Sequence, residues 1–426
     1  MNLTKEQQEI YDGKQGATLA KVMQTLVRYG ELFGADGMVP VTSKYNHLVT
    51  SFGLKALAPV YELMNQLIES GNVSKQKFSA DQRPLDTNVP RSFLQDFVFK
   101  IFLYSKQYDY EKQLTQLGIM EKDAYTCTCY MDEVGNTPAM GEVLSWSESS
   151  AVVYANSVLG ARCNRNSGII DLMGSVVGYV PHFGLLTDEG RKATWIVKIE
   201  TTKKPEAQLL GSAIGMKAMA DVPYIVGLDK WLGGELDDAA KTYLKDFGAA
   251  TASNGAVGLY HVENITPEAV KYGKDLIAED AKVYVVDDAE LQRVYESYPV
   301  IWKKKDAKPK LCFMGCPHMS LQQLIDWTEK VSQSLKEAGR TRVCIPTVFT
   351  AAPAVLKKIQ ETPYAETLKA TGVITSYICP LMYMNNPLSE KMPVITSSNK
   401  LRTYTSARYY TDAEILEQIT KGGADR

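Results

Sequence analysis

The sequence predicts an α/β protein with two or three domains. Short strand-like segments, such as residues 196–200 and 222–227, are separated by a segment of helical character, and this alternation is typical of α/β domains. The chain has 426 residues, more than a single hydrophobic core usually serves. Its 45% hydrophobic and 23% charged residues are typical of a globular protein in water.

Charge and hydropathy argue against several classes of partner. Lys and Arg total 47 against 49 Asp and Glu, which leaves a net charge of −2 and no basic block for a nucleic-acid backbone. No apolar run is long enough to cross a bilayer, and the amino-terminal residues do not resemble a signal peptide. We therefore expect no nucleic acid and no membrane among its partners, a cytoplasmic location, and seven reduced cysteines.

A first, mainly helical domain is predicted over residues 1–125. A capping box at Thr4 begins a short helix, and apolar residues recur at helical spacing over residues 17–33. Residues 38–42 are strand-like, and the polar residues after them lie where α/β proteins tend to bind ligands. Five aromatic residues, Phe93, Phe97, Phe99, Phe102 and Tyr104, are interpreted as a helical stripe that serves packing.

Polar and apolar residues are mixed most densely over residues 141–168, inside a predicted second domain of residues 126–300. Residues 146–153 can form a helix with Ser149 and Ser150 near its start. Hydrogen-bond donors follow at Arg162, Asn164 and Arg165. A helix start and two guanidinium groups could hold a carboxylate or a phosphate. The alternative is a buried helix followed by a polar loop whose arginines lie in water.

A third domain is predicted over residues 301–426. The lysine-rich residues 303–310 are expected to form an exposed loop that introduces it. Residues 311–321 are interpreted as a buried strand, a tight turn at Cys316 and a helix capped by Ser320. Further strands are predicted over residues 343–349 and 373–378, with a helix over 354–359 between them.

Several motifs in the chain are long and specific. They are SESSAVVYANSVLGARCNR at residues 147–165, Cys127-Thr128-Cys129-Tyr130 before a Gly-Asn-x-Pro turn, Gly-Cys-Pro-His-x-Ser-Leu at 315–321, and a polar stretch containing Lys400. In these motifs the chain resembles the large subunit of aconitase X, a branch of the aconitase superfamily of hydro-lyases. Six positions depart from the family pattern. Cys129 replaces a proline and Tyr45 replaces a histidine, and the others are Cys163, Asn166, Leu186 and Tyr377.

The resemblance implies an aconitase-like, multidomain arrangement of βα domains that lacks the small swivelling domain. In the family that small domain carries the catalytic serine base, and this chain ends soon after the Lys400 motif. We therefore expect a small subunit as partner. The implied reaction is the iron-assisted loss of hydroxide from a hydroxy acid. Family members dehydrate cis-3-hydroxy-L-proline or mevalonate 5-phosphate, and of these we favour the proline derivative.

The resemblance also implies which residues carry the chemistry. Cys127 falls on a cluster-ligand cysteine of the family, and with Cys316 and Cys379 it would bind an iron–sulfur cluster or iron that leaves one iron open to a hydroxyl group. The residues assigned to catalysis are Ser149, Ser150 and His318. The residues assigned to the substrate, whose clamped carboxylate would make the neighbouring carbon more acidic, are Asn156, Arg162, Asn164, Arg165, Ser398 and Lys400.

Two other interpretations remain open. In the first, Cys127, Cys129, Cys312 and Cys316 supply four thiolates to a closed zinc site in a non-catalytic binding protein. Such a site would have no open coordination position for chemistry. In the second, the chain is a metal-free remnant that only binds an anion.

Overall fold

Parallel β-sheets flanked by helices form the body of the protein, which confirms the α/β prediction. The computed structural model describes residues 1–121 and 123–422. These residues contain a four-stranded and a five-stranded parallel sheet, together with two strand pairs. No helix within the same residues is both long enough and apolar enough to cross a lipid bilayer.

The amino-terminal part combines helices with short strands. Its elements are α1 (Lys5–Tyr11), α2 (Ala17–Leu32), β1 (Met38–Pro40), β2 (Tyr45–Leu48), α3 (Ala58–Glu69) and β3 (Lys77–Ala80). Thr4 caps α1 with the predicted capping box, and α2 matches the predicted helix. The polar segment expected after β1 is partly strand instead, because β2 pairs in parallel with β3 and buries Asn46 and His47.

The aromatic segment is not one packed helix. It comprises α4 (Phe93–Val98), a π-helical turn (Phe99–Leu103) and α5 (Gln107–Leu117). Phe99 and Tyr104 are buried, whereas Phe93, Phe97 and Phe102 are 88%, 47% and 53% exposed. The packing prediction is wrong for these three residues. Helix α4 buries Gln95, whose amide donates to Ser389, and the π-helical turn then interrupts the 3.6-residue repeat.

The central part contains the four-stranded sheet, in the order β7-β6-β5-β8. Its elements are α6 (Ser149–Ser157), α7 (Gly168–Val177), β4 (Tyr179–Pro181), β5 (Ala193–Ile199), α8 (Ala207–Ala218), β6 (Pro223–Val226), α9 (Asp229–Leu232), α10 (Asp238–Asn254), β7 (His261–Val262), α11 (Pro267–Tyr272), β8 (Ile277–Val286) and α12 (Asp288–Glu296). Helix α6 begins later than predicted, because Trp146 forms a β-bridge with His47 and Glu148 then caps the helix.

Helices α8 and α10 approach each other closely beside this sheet. A Cβ atom on Gly211 would lie 2.3 Å from the carbonyl oxygen of Phe247, and one on Gly215 would lie 2.7 Å from that of Thr251. Distances this short are sterically forbidden, so the close contact between the two helices requires glycine at both positions.

The carboxyl-terminal part contains the five-stranded sheet, in the order β11-β10-β9-β12-β13. Its elements are β9 (Leu311–Met319), α13 (Leu321–Glu337), β10 (Thr347–Ala351), α14 (Pro353–Gln360), α15 (Tyr364–Ala370), β11 (Ile374–Ser376), α16 (Pro380–Met384), β12 (Val394–Thr396), α17 (Asn399–Tyr404), β13 (Arg408–Tyr409) and α18 (Asp412–Lys421). Ser320 caps α13 as predicted. The turn predicted at Cys316 does not end the strand: Gly315 has a φ of +95°, and β9 continues past a shift in its register with β10.

Each of the three parts of the chain has its own hydrophobic cluster, and a further cluster joins residues 89–104 to the five-stranded sheet. The amino-terminal cluster includes Met23, Met64 and Phe78, and it also takes in Leu172 and Val176 of α7. Residues 129–294 supply almost all of the central cluster, and residues 302–419 supply that of the five-stranded sheet. The division into residues 1–125, 126–300 and 301–426 stays a prediction.

Replacing Gly211 with Ala should lower the free energy of unfolding by about 1–3 kcal/mol, because the new methyl group forces α8 away from α10. Urea denaturation followed by circular dichroism measures this change. Lys241→Ala, on the exposed side of α10, is the control and should change it by less than about 0.5 kcal/mol. An unchanged free energy of unfolding for Gly211→Ala would contradict the close packing of α8 against α10.

Candidate active site

A buried ion pair joins the central and carboxyl-terminal parts of the chain. The Lys400 ammonium group, in the first turn of α17, donates to Glu148 Oε1, and Glu148 is the residue that caps α6. The same oxygen accepts hydrogen bonds from the backbone N–H of Ser150 (3.1 Å) and from its hydroxyl group (2.6 Å). Burial by itself raises the pKa of Glu148, but Lys400 and Ser150 bring it down to about 2, so the carboxylate is ionised.

Three buried thiols lie around this ion pair. Cys316 is part of β9, Cys379 precedes α16, and Cys127 lies in the loop after β3 and α5. Burial lowers the pKa of Lys400, but Glu148, Cys316 and Cys127 raise it above its ordinary value. Burial raises the pKa of Cys379, and the nearby Cys316 adds to that effect. The structure therefore brings the three predicted cysteines and Lys400 into one neighbourhood.

His318 connects the segments that carry the three cysteines. Its Nδ1 lies 2.9 Å from Thr126 Oγ1, its Nε2 lies 3.2 Å from the carbonyl oxygen of Ile378, and its backbone N–H donates to Cys127 Sγ. Burial lowers the pKa of His318 to about 4, so the ring is neutral. Nε2–H then donates to Ile378, and Nδ1 accepts from Thr126. Both ring nitrogens are engaged, and this arrangement favours a positioning role for His318 over the catalytic role assigned to it from the sequence.

Arg165 is a buried cation that forms no ion pair with any acidic side chain among residues 1–121 and 123–422. Its Nη1 is buried and has no hydrogen-bond partner in the described part of the chain. Burial lowers its pKa, while Tyr404 and Glu148 act in the opposite direction. The methylene groups of Arg165 pass Gly258, where a Cβ atom would lie 3.1 Å from Cδ. A buried guanidinium group with an unused nitrogen is suited to binding an anion.

The side chains of Arg162 and Asn156 form hydrogen bonds with other parts of the protein. Arg162 donates to Asp188 and to the carbonyl oxygen of Leu186, and it lines a different cavity from Arg165. The Asn156 amide donates to the carbonyl oxygens of Cys163 and Gly258 at 2.8 Å each, which holds the loop after α6.

The remaining predicted residues have local contacts. Asn164 accepts from the backbone of Leu185 and donates to that of Phe183. Ser398 donates to the carbonyl oxygen of Cys316 and caps α17. Ser149 is half-buried in the first turn of α6, next to the engaged Ser150. Of the polar residues in the prediction, Lys400, Ser150, Ser398 and His318 thus adjoin the thiols or the ion pair.

Glu148, Asp81 and His47 belong to this neighbourhood but were missed by the sequence analysis. Glu148 lies inside the SESS motif, so a polar residue that directly precedes a buried helix was the available signal. Burial raises the pKa of Asp81, with Glu148 adding to the rise and His47 and Lys400 opposing it. His47 and Asp81 come together only because β2 and β3 pair, and the local sequence carries no sign of this pairing.

A single metal ion and an iron–sulfur cluster require different arrangements of the cysteine thiols. No three His, Cys, Asp or Glu side chains of residues 1–121 and 123–422 are arranged to hold one metal ion. The zinc interpretation needs Cys312 at such a site, but burial is the one cause of its raised pKa, without any contribution from another thiol. Cys127, Cys316 and Cys379 instead each interact electrostatically with Lys400, and cysteine thiolates are the usual ligands of iron–sulfur clusters.

Two cavities adjoin the neighbourhood. One of about 430 Å³ is bordered by Gly315, Cys316 and Ser398, and another of about 450 Å³ is bordered by Asn164 and Arg165. A small carboxylic acid fits either volume.

Similarity to known proteins identifies the family. A family model of the aconitase X first domain matches residues 1–189, and one of the aconitase X second domain matches residues 193–296. The chain belongs to the aconitase X family. The phosphomevalonate dehydratase large subunit of Thermococcus kodakarensis is 32% identical to it over 373 residues, which are 87% of this chain and 86% of that protein.

Two further aconitase X comparisons bear on class and fold. The cis-3-hydroxy-L-proline dehydratase of Hypocrea jecorina is 34% identical over 218 residues, which are 49% of this chain and 34% of that protein. The crystal structure of Thermococcus kodakaraensis aconitase X in its holo-form has a TM-score of 0.79 and 28% identity, and the match covers 98% of this chain and all of that one. The family, the fold and the hydro-lyase class predicted from the sequence are thereby confirmed.

Replacing His318 with Leu should lower the free energy of unfolding by about 2–5 kcal/mol, because the Thr126 hydroxyl group and the Ile378 carbonyl oxygen lose their buried partner. Chemical denaturation at neutral pH measures this. His182→Leu is the matched control, since His182 lies at the surface beside Asp36, and it should change the value by less than about 1 kcal/mol. Equal changes in the free energy of unfolding for the two substitutions would contradict the positioning role of His318.

Proposed function

We propose that this chain is the large, catalytic subunit of an aconitase X hydro-lyase that dehydrates a hydroxylated carboxylic acid, with cis-3-hydroxy-L-proline as its substrate. One observation carries the proposal: an unpartnered Arg165 guanidinium group and a Glu148–Lys400 ion pair share a neighbourhood with three buried thiols. Arg165 and the Lys400 beside the thiols thus both interact electrostatically with Glu148.

The cofactor proposed for this site is an iron–sulfur cluster held by Cys127, Cys316 and Cys379. When bound, it would supply a Lewis-acidic iron to the departing hydroxyl group. Two features of the chain would stabilise the bound cluster. The Lys400 ammonium group offsets the negative charge of the thiolates, and the backbone N–H of His318 donates to Cys127.

The chain's polar residues act on the acid itself. Arg165 binds the substrate carboxylate, which stabilises negative charge as the neighbouring carbon loses its proton. Glu148 holds Lys400 in place through their ion pair, and Ser150 holds Glu148 through two hydrogen bonds. The proton is removed by a serine of a small subunit, the partner that the large-subunit relatives imply. We place the assembled enzyme in the cytoplasm.

A second substrate, mevalonate 5-phosphate, is the alternative. The named phosphomevalonate dehydratase large subunit aligns with 87% of this chain, against 49% for the Hypocrea dehydratase. The charges of the site favour the proline derivative. Lys400 is already paired with Glu148, and the unpaired nitrogen of Arg165 offers a guanidinium group that matches the single carboxylate of this acid.

Replacing Arg165 with Gln should lower kcat/KM for the dehydrated acid by about 10- to 150-fold, because a charge-assisted hydrogen bond to the carboxylate is lost. The assay uses the chain with its small subunit, purified without oxygen, and follows the dehydration of cis-3-hydroxy-L-proline and of mevalonate 5-phosphate.

Arg162→Gln is the matched control for this assay, because Arg162 is neutralised by Asp188 and lines another cavity. It should retain nearly full activity. If neither acid is dehydrated by the unmodified enzyme, the proposed function is wrong. If Arg162→Gln loses more activity than Arg165→Gln, the carboxylate site has been assigned to the wrong arginine.

A further inference from the structure

Another cavity, of about 280 Å³, lies where the central and carboxyl-terminal parts of the chain meet. Its walls come from the loop after Cys129, from α6, and from the amino-terminal ends of α10 and α13. Of the residues that line it, none is assigned above to the thiols, to the substrate or to catalysis. A ligand bound in this cavity would therefore be separate from the proposed dehydration.

Two stacked tyrosines form one wall of this cavity. The ring centroids of Tyr130 and Tyr154 lie 3.8 Å apart, and their ring planes differ by 9°. Tyr130 is 4% exposed, and its hydroxyl group has no hydrogen-bond partner in the described part of the chain. Burial raises the pKa of Tyr130 and Tyr154 adds to the rise, so the hydroxyl group is neutral. Because buried polar atoms are rarely left unpaired, this hydroxyl oxygen indicates a ligand that donates a hydrogen bond.

Acidic side chains surround the entrance to the cavity. Asp132, Glu133 and Asp238 line it, and all three residues are exposed. Lys241 offsets Asp238, since its ammonium group lies 3.2 Å from Asp238 Oδ1. Asp132 and Glu133 form no ion pair with the residues that the structure describes. Asp132 and Asp238 also add to the pKa of Tyr154, which burial raises, so these carboxylates act electrostatically on the tyrosine wall.

The remaining lining is largely apolar. Met131, Leu159, Leu321 and Ile325 are half-buried and present hydrocarbon surface to the cavity. Such a lining suits methylene groups, while the two unpaired carboxylates suit positive charges. A carboxylate or phosphate ligand would instead be repelled by Asp132 and Glu133.

We propose that this cavity is a second ligand site, which binds a short alkyl diamine. One ammonium group would donate to the hydroxyl oxygen of Tyr130, and the methylene chain would contact the apolar lining. Asp132 and Glu133 would offset the two positive charges. A volume of about 280 Å³ is close to the lower end of the range for small-molecule sites, which fits a chain of only a few carbon atoms.

Calorimetry with 1,4-diaminobutane tests this site on the chain with its small subunit, purified without oxygen, at about 150 mM salt to screen non-specific attraction. Two comparison ligands are n-butylamine, which has one ammonium group, and succinate, which has the opposite charge. We expect one diamine to bind per chain, about 2- to 5-fold more tightly than n-butylamine, because an exposed ion pair contributes modestly. Succinate should not bind.

Tyr130→Phe should weaken both amines by about 10-fold or more, because each loses a charge-assisted hydrogen bond to the hydroxyl oxygen. Since that hydroxyl group has no partner in the described part of the chain, its removal should leave the fold intact. Asp132→Asn should weaken the diamine about 2- to 5-fold. Asp280→Asn, at an exposed carboxylate of β8, is the control and should change neither affinity.

Failure of the diamine to bind saturably to the unmodified enzyme overturns the inference, and this result does not depend on whether any variant folds. Equal binding of succinate and the diamine overturns it as well. Diamine binding that survives both Tyr130→Phe and Asp132→Asn unchanged would occur elsewhere on the protein and would also contradict the proposed site.

Discussion

The buried ion pair between Glu148 and Lys400 is the interaction on which the candidate site depends. The two residues are 252 positions apart, and their contact joins the start of α6 to the start of α17. A buried ion pair rarely adds much net stability, because the cost of desolvating both charges offsets their attraction. Its consequence here is geometric: an ammonium group is held among three thiols, and loss of either partner leaves an isolated charge in the interior.

The ends of regular elements supply the rest of the site. Cys379 and Lys400 follow β11 and β12, so both lie at the carboxyl edge of the five-stranded parallel sheet, where α/β proteins commonly bind ligands. Cys316 lies beside them because β9, the central strand, continues past Gly315. His318 then connects this edge to the Cys127 loop through Thr126. Polar groups can be buried here because the surrounding backbone and side chains satisfy most of them.

Part of the structure could be predicted from sequence patterns that involve only neighbouring residues. The capping residues Thr4 and Ser320 were identified correctly, since a cap depends on neighbours three residues away. Contacts between distant segments were not accessible in the same way. Arg162 and Arg165 have similar local surroundings, but Asp188 neutralises one of them and a passage beside Gly258 buries the other. The pairing of His47 with Asp81 likewise follows from strand pairing, which no short motif encodes.

We have proposed that Cys127, Cys316 and Cys379 together hold an iron–sulfur cluster. Iron, acid-labile sulfide and zinc contents, with a visible spectrum, should be measured on protein purified without oxygen. Single serine variants of the three cysteines should be compared with Cys312→Ser, whose thiol lies in the hydrophobic core of the five-stranded sheet. We predict iron and sulfide in the unmodified protein, their loss in each of the three variants, and their retention in Cys312→Ser. Zinc in the unmodified protein, or iron that survives all three substitutions, would contradict the proposed cluster site.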